Sequence, residues 1–241
     1  MQLVITILTV VLFALSVYLW WREHSPMYCI ALFAGMFGTL ASPLWQLLYR
    51  FSYDPALGRA VAYLGFGVPG VVVMGGWLLV LPALLIFYLT RVGWWFSGYL
   101  SGWLAFVLFV VFHMLIEVFG TKAMWFSYDS AVYLPFGIQL AVISALMNAL
   151  ITLGTLSVLI LSQRYALTSL LLILLPTPLV LSLFIHGLLG APLYATLFLQ
   201  LHRITSGWAT SIGVLGTIGL LAWGAHTMAS VLASQQGPRG I

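Results

Sequence analysis

Seven predominantly apolar stretches succeed one another along the chain, near residues 1–21, 27–49, 61–89, 95–119, 131–160, 166–189 and 207–233, with short polar breaks between them. About 20 apolar residues in α-helix cross the hydrocarbon core of a bilayer. Lipid offers a backbone no hydrogen bonds, so a spanning segment must be helical or belong to a closed barrel. These stretches lack the in–out alternation of barrel strands. The chain therefore reads as all-α, a polytopic transmembrane bundle of seven helices forming one integral membrane domain over 1–241. Only 5% of its residues are charged, where a soluble domain carries roughly a quarter.

The first stretch has no basic leader and no clear small-residue cleavage site, so it reads as a retained helix. The third and fifth are longer than a bilayer needs and must tilt, kink or run into the interface. Pro69, Pro82 and Gly75-Gly76 supply bends in the third, Pro135 marks the start of the fifth, and Pro176-Thr177-Pro178 bends the sixth. Residues 191–203 are too few to span and suit an interfacial or re-entrant segment.

An odd number of spans puts the termini on opposite sides. Basic residues divide evenly: Arg50, Arg59, Lys122 and Arg203 fall on the N-terminal face, and Arg22, Arg91, Arg164 and Arg239 on the other. Arg22, flanking the first helix, tips the expectation toward an outside N-terminus and an inside C-terminus in a cell membrane. Cations scattered in this way mark topology. A nucleic-acid binder would gather them into a stripe.

The tetrapeptide Phe-Ser-Tyr-Asp occurs twice, at 51–54 and 126–129, and holds both aspartates of the chain. Both copies come after an even-numbered helix on the N-terminal face. One reading is an interfacial belt, with Tyr53 and Tyr128 at headgroup level and Asp54 and Asp129 each capping the next helix. The other is a contribution to a site, because the remaining polar residues gather in the same half. Glu117 lies near that end of the fourth helix inside an apolar run, with His113 one turn deeper. Gln46 is near the same end of the second helix and His186 of the sixth, and Gln139 is about 12 Å into the fifth at 1.5 Å per residue. An ionisable side chain at membrane depth costs at least a few kcal/mol and so marks a candidate site. Glu117 also has a plainer reading as a helix-end carboxylate that snorkels or pairs with Lys122. His113 has one as a polar contact between helices.

No HExxH, CxxC or P-loop pattern is present, and the lone Cys29 lies in an apolar run. Zinc hydrolysis, dithiol redox and nucleotide hydrolysis therefore have no motif here. Only His113 and His186 have depths that suit a pair of haem ligands, because His226 is near the opposite face. The absence of an aspartate-rich motif argues against transfer from a metal-bound diphosphate. Neither a metal nor an organic cofactor is expected.

The run Ile116-Glu117-Val118-Phe119-Gly120, then Met124-Trp125-Phe126-Ser127-Tyr128 and then Pro135, resembles a pattern of membrane-embedded carotenoid 1,2-hydratases. In that family a helix-end glutamate and a nearby glycine precede an aromatic-x-Tyr run and a proline-containing helix. Related polytopic terpenoid and lipid cyclases show a similar acid-then-tyrosine arrangement. The likeness covers about 20 of the 241 residues. It lacks the Gly-Pro-aromatic-Gly element expected after the glutamate, and Gln46 stands where a second acid is expected. The resemblance implies a lyase or isomerase of terpenoid or carotenoid biosynthesis, a hydratase or cyclase. Such chemistry needs a carboxylic acid that keeps its proton in a dry pocket, with aromatic faces to stabilise a carbocation.

The resulting expectation is a membrane enzyme performing hydration, cyclisation or isomerisation on an isoprenoid-like or other lipophilic substrate. Glu117 is the expected acid, with Asp129, Asp54 and His113 as its partners or water positioners. Tyr128, Tyr53, Trp125, Gln46, Gln139 and His186 are the expected substrate contacts. Two rivals stand beside it: a small-solute transporter or channel built on a parallel repeat, and a structural subunit that packs pigments or partner helices. In the latter, Gly35 and Gly38 would form close-approach surfaces.

Overall fold

The computed structural model describes residues 2–129, 134–202 and 207–235. Arg203, Arg239 and the expected start of the fifth span at 131–133 lie outside them. Among the described residues, seven helical stretches are long and apolar enough to cross a membrane. The chain is an integral membrane protein.

Helix α1 (Gln2–Glu23) is peripheral, burying only Ile5, Thr9 and Ser16. The second span is assembled from α2 (Met27–Gly38), a 3₁₀ turn (Thr39–Ala41) and α3 (Ser42–Tyr49). The third is assembled from α4 (Gly70–Met74), a 3₁₀ segment (Gly75–Leu79) and α5 (Leu81–Arg91). These two spans touch backbone to backbone. A Cβ added to Gly35 would stand 2.7 Å from the Gly76 carbonyl oxygen, and one added to Gly76 would stand 2.6 Å from that of Gly35. The small-residue surface expected at Gly35 therefore joins two helices of the same chain.

Helix α6 (Tyr99–Lys122) is the fourth span, and α7 (Leu140–Leu161), the most buried of the seven, is the fifth. The sixth runs through α8 (Leu167–Leu174), α9 (Thr177–Phe184) and a π-helical turn (Ile185–Leu189), broken at Pro176 as expected. Helix α10 (Ala191–Leu201) covers about 16 Å at 1.5 Å per residue, too little to span. It packs on α11 (Gly207–Gln235), the seventh span. Helices α5, α6, α9 and α11 surround α7.

Two expected boundaries need correction. The third span does not begin at 61 but at Gly70. Strands β2 (Val61–Tyr63) and β3 (Phe66–Val68) form a hairpin first, turning through Leu64 and Gly65, both at positive φ. That geometry belongs to a two-residue hairpin turn. Gly65, Gly67 and Pro69 crowd into this stretch, and each disfavours helix despite the apolar composition. The fifth span begins at Leu140, after a 3₁₀ turn over Pro135–Gly137. Gln139 is therefore an exposed residue at the helix start, not one buried within it.

Strand β1 (Phe51–Tyr53) pairs antiparallel with β4 (Phe126–Tyr128), so the two Phe-Ser-Tyr-Asp copies bind each other. The register is Phe51 opposite Tyr128, Ser52 opposite Ser127 and Tyr53 opposite Phe126. Flanking bonds obey the same two-fold relation. Asp54 N–H donates to the Trp125 carbonyl at 3.0 Å, and Asp129 N–H donates to the Arg50 carbonyl at 2.9 Å.

Candidate active site

Helix α6 buries one stripe, including Ala105, Phe106, Phe109, His113, Glu117 and Gly120, and turns Val107, Val111, Leu115 and Phe119 outward. The three- and four-residue spacing places His113 and Glu117 on this inner stripe. They are 5% and 6% exposed, so both face the bundle rather than lipid. The end of α6 then reverses. Met124 is left-handed, the Trp125 N–H donates to the Gly120 carbonyl at 2.9 Å, and the Met124 N–H donates to the Thr121 carbonyl at 3.2 Å. This is a Schellman cap. It sends β4 back over the helix end and brings Tyr128 to Glu117.

The carboxyl of Glu117 is held by two hydroxyls. Tyr128 Oη donates to Oε2 at 2.8 Å and Ser144 Oγ donates to Oε1 at 2.6 Å. Among the described residues no cation pairs with it, and Lys122 is exposed one turn on. The snorkelling pair with Lys122 is therefore not what the structure adopts. Burial raises the Tyr128 phenol well above its ordinary value of ten, and the charge of the adjacent carboxyl adds to the effect. Tyr128 is thus a phenol that keeps its proton and donates it in a hydrogen bond.

Ser144 opens a polar stripe on α7 that continues at four-residue intervals through Asn148 and Thr152. Thr152 is fully buried. Its hydroxyl lies 2.8 Å from His113 Nε2 and from the Leu79 carbonyl, and 2.9 Å from the Asn148 carbonyl. The residue three on from Leu79 is Pro82, which has no N–H to offer that carbonyl. One hydroxyl proton serves the carbonyls, so Thr152 accepts from His113. This network assigns the Nε2–H tautomer.

Glu117, His113, Tyr128, Ser144 and Asn148 line a cavity of about 250 Å³, near the small end for a ligand site, and Thr152 stands behind His113. Its polar groups include those of Glu117, His113, Ser144, Asn148, Ser42 and His186. The paired strands roof it with Phe51, Tyr53, Phe126 and Tyr128, while Ser52 and Ser127 point away, as strand alternation dictates. Trp125 also lines the cavity, and Trp45 stacks on His186 with centroids 4.8 Å apart.

The structure brings together Glu117, His113, Tyr128, Tyr53, Trp125 and His186 from the expected set. It does not bring in four others. Asp54 lies outside the cavity and caps the next turn, accepting from the Ala56 N–H at 2.9 Å. Asp129 is exposed beside the strand end. Neither is a neighbour of Glu117 in the cavity wall, because each follows the last roof residue of its strand, Tyr53 or Tyr128. Buried Gln46 is used structurally, donating from Nε2 to the Gly67 carbonyl at 3.1 Å and fastening the hairpin to α3. Gln139 is exposed at the start of α7. Ser42, Ser144, Asn148 and Thr152 escaped notice in the sequence. The signal for the last three was available in their spacing along an apolar helix.

Compared with protein-family models, with curated proteins and with solved structures, the chain matches none.

Proposed function

We propose that this protein is a membrane enzyme that protonates a lipophilic, isoprenoid-like substrate in the roofed cavity, leading to hydration, cyclisation or isomerisation. One observation carries the reading: a carboxyl enclosed in a largely apolar cavity, bound by two neutral hydroxyls and, among the described residues, by no cation. A buried carboxylate kept for structure is normally paired with a positive group. One held by hydroxyl donors is placed to exchange a proton with a bound molecule.

In this scheme Glu117 transfers its proton to an alkene carbon, and the cationic centre forms at the neighbouring carbon. The aromatic faces of Trp125, Phe51 and Phe126 stabilise that charge. The Glu117 carboxylate then takes a proton back. It comes from a water molecule that adds to the cation in hydration, or from an adjacent carbon in isomerisation and cyclisation. Tyr128 and Ser144 orient the carboxyl through both states. No metal or organic cofactor enters the scheme, and the substrate arrives from the lipid phase.

The test begins with organic extraction of the purified protein and identification of the co-purifying lipid. That lipid is then incubated with wild type and with Glu117→Gln in D₂O. Wild type is expected to place deuterium on carbon, and the variant to lose at least a hundredfold in rate while keeping its elution profile, on the order of what a positioned acid contributes. Undiminished deuteration by Glu117→Gln rejects the reading. Absence of any deuteration by wild type favours a carrier.

A further inference from the structure

Opposite in character to the Glu117 wall is the π-helical turn over Ile185–Leu189. Turns of this kind inside α-helices are rare and recur at functional sites. Here the turn is pinned by Tyr49. Tyr49 Oη donates to the His186 carbonyl at 2.7 Å, and a side chain at Gly190 would overlap that same Tyr49 hydroxyl. The effect is to hold His186 on the cavity wall, 7% exposed, stacked on Trp45. Trp45 is itself fixed by donating from Nε1 to Ser182 Oγ at 3.0 Å.

The His186 ring is firmly placed, yet it makes no hydrogen bond of normal geometry with the described residues. Nδ1 is enclosed by protein without a partner. The Ser182 carbonyl one turn back is the group within reach of the ring, at a geometry too poor for a normal hydrogen bond. With Nδ1 enclosed, Nε2 is the nitrogen that the cavity reaches. An imidazole held in an apolar wall without partners is costly, and a phenyl ring would stack on Trp45 equally well. Asn148 lines the same cavity, and its side-chain amide forms no hydrogen bond with a described residue.

Resting on the proposed function, we infer that the substrate is not a pure hydrocarbon but carries an oxygen function, a hydroxyl or carbonyl, recognised by His186. Neutral imidazole both donates and accepts, so it matches either group. A site built to hydrogen-bond an oxygen also rejects the analogue that lacks one, because its own buried groups then stay unpaired.

Equilibrium binding of tritiated farnesol and farnesene, an alcohol and a hydrocarbon of equal carbon number, to the purified protein in detergent tests this. Wild type is expected to bind the alcohol about tenfold more tightly, the factor that one ordinary hydrogen bond supplies. His186→Phe keeps the stack on Trp45 and removes the unpaired ring nitrogens, so it should erase the preference, with farnesene bound at least as tightly as by wild type. His186→Gln should restore part of it. Equal binding of the two ligands by wild type, no saturable binding of the alcohol, or a preference that survives in His186→Phe overturns the inference. Glu117→Gln separates this inference from the reading it rests on. Loss of turnover with the preference intact supports both, whereas retained turnover rejects the acid and leaves the His186 result standing.

Discussion

Glu117 and Ser42 occupy the same place in two copies of one local structure. Each tyrosine of the repeat reaches back eleven residues to the helix before it: Tyr128 to Glu117 at 2.8 Å and Tyr53 to Ser42 at 2.9 Å. One copy carries a carboxyl and the other a hydroxyl, so the two tyrosines should differ in consequence. Tyr128→Phe removes one of the two donors to Glu117 and is expected to slow turnover by about tenfold or more, the effect of losing a hydrogen bond to an acid. Tyr53→Phe should slow it less, and steady-state rates for the pair decide this. Burial pushes the Tyr53 phenol up to about 12, with the charge of Glu117 adding and the Ser42 hydrogen bond opposing. Its unfolded value is about 10. Between these values the unfolded chain has released the proton and the folded protein has not. The stabilisation is therefore complete below pH about 10 and is lost as the pH rises toward 12. The unfolding midpoint in detergent should fall more steeply across that window for wild type than for Tyr53→Phe. Parallel curves would place the phenol in water. Asp54→Asn retains an acceptor for the Ala56 N–H and should leave turnover within about twofold, since an amide caps as a carboxylate does.

The elements show where local sequence is informative and where it is not. Positions 113 and 117 could be assigned to one inner stripe from helical spacing alone, because that periodicity is a property of the residues themselves. The hairpin at 61–68 was hidden by its apolar letters, although Gly65, Gly67 and Pro69 are the residues that prevent helix there. The pairing of β1 with β4 had no local signal beyond the repeat, since a strand of three residues specifies no partner until two helices deliver it. That register can be checked directly. In a Cys29→Ala background, Ser52→Cys with Ser127→Cys should cross-link on mild oxidation, because directly opposed residues lie within disulfide reach. Cleavage at a protease site inserted in the 92–98 loop reveals the link on a gel. Ala56→Cys with Ser127→Cys, out of register, should link far less. The contact of Gly35 with Gly76 is also an element-scale property. Gly35→Ala brings a methyl to 2.7 Å from a backbone oxygen that cannot swing away. It should destabilise the protein by roughly 1–3 kcal/mol, as overpacking does, which a thermal shift in detergent would register.

At the scale of the whole molecule, lipid removes most alternatives: each apolar stretch must close its own backbone hydrogen bonds, so length and composition fix the number of helices. That is why seven spans were legible while the cavity was not. Its wall draws on α3, the 3₁₀ segment before α5, α6, α7, the π turn and both roof strands, and no periodicity reports which helix faces which. Topology comes from the same count. The roof strands come from loops after the second and fourth spans and pair with each other, which requires both loops to lie on one side of the membrane. The loop after the third span must then lie on the other side. Cysteine placed singly at Ala56, Lys122 and Trp94, all exposed, converts this into a labelling pattern with Cys29→Ala as background. A membrane-impermeant maleimide applied to right-side-out and inverted vesicles should react with the Ala56 and Lys122 positions in the same preparation. The Trp94 position should react in the opposite one. If Ala56 and Lys122 label from different sides, the strands cannot pair, the roof opens, and Tyr128 loses its path to Glu117.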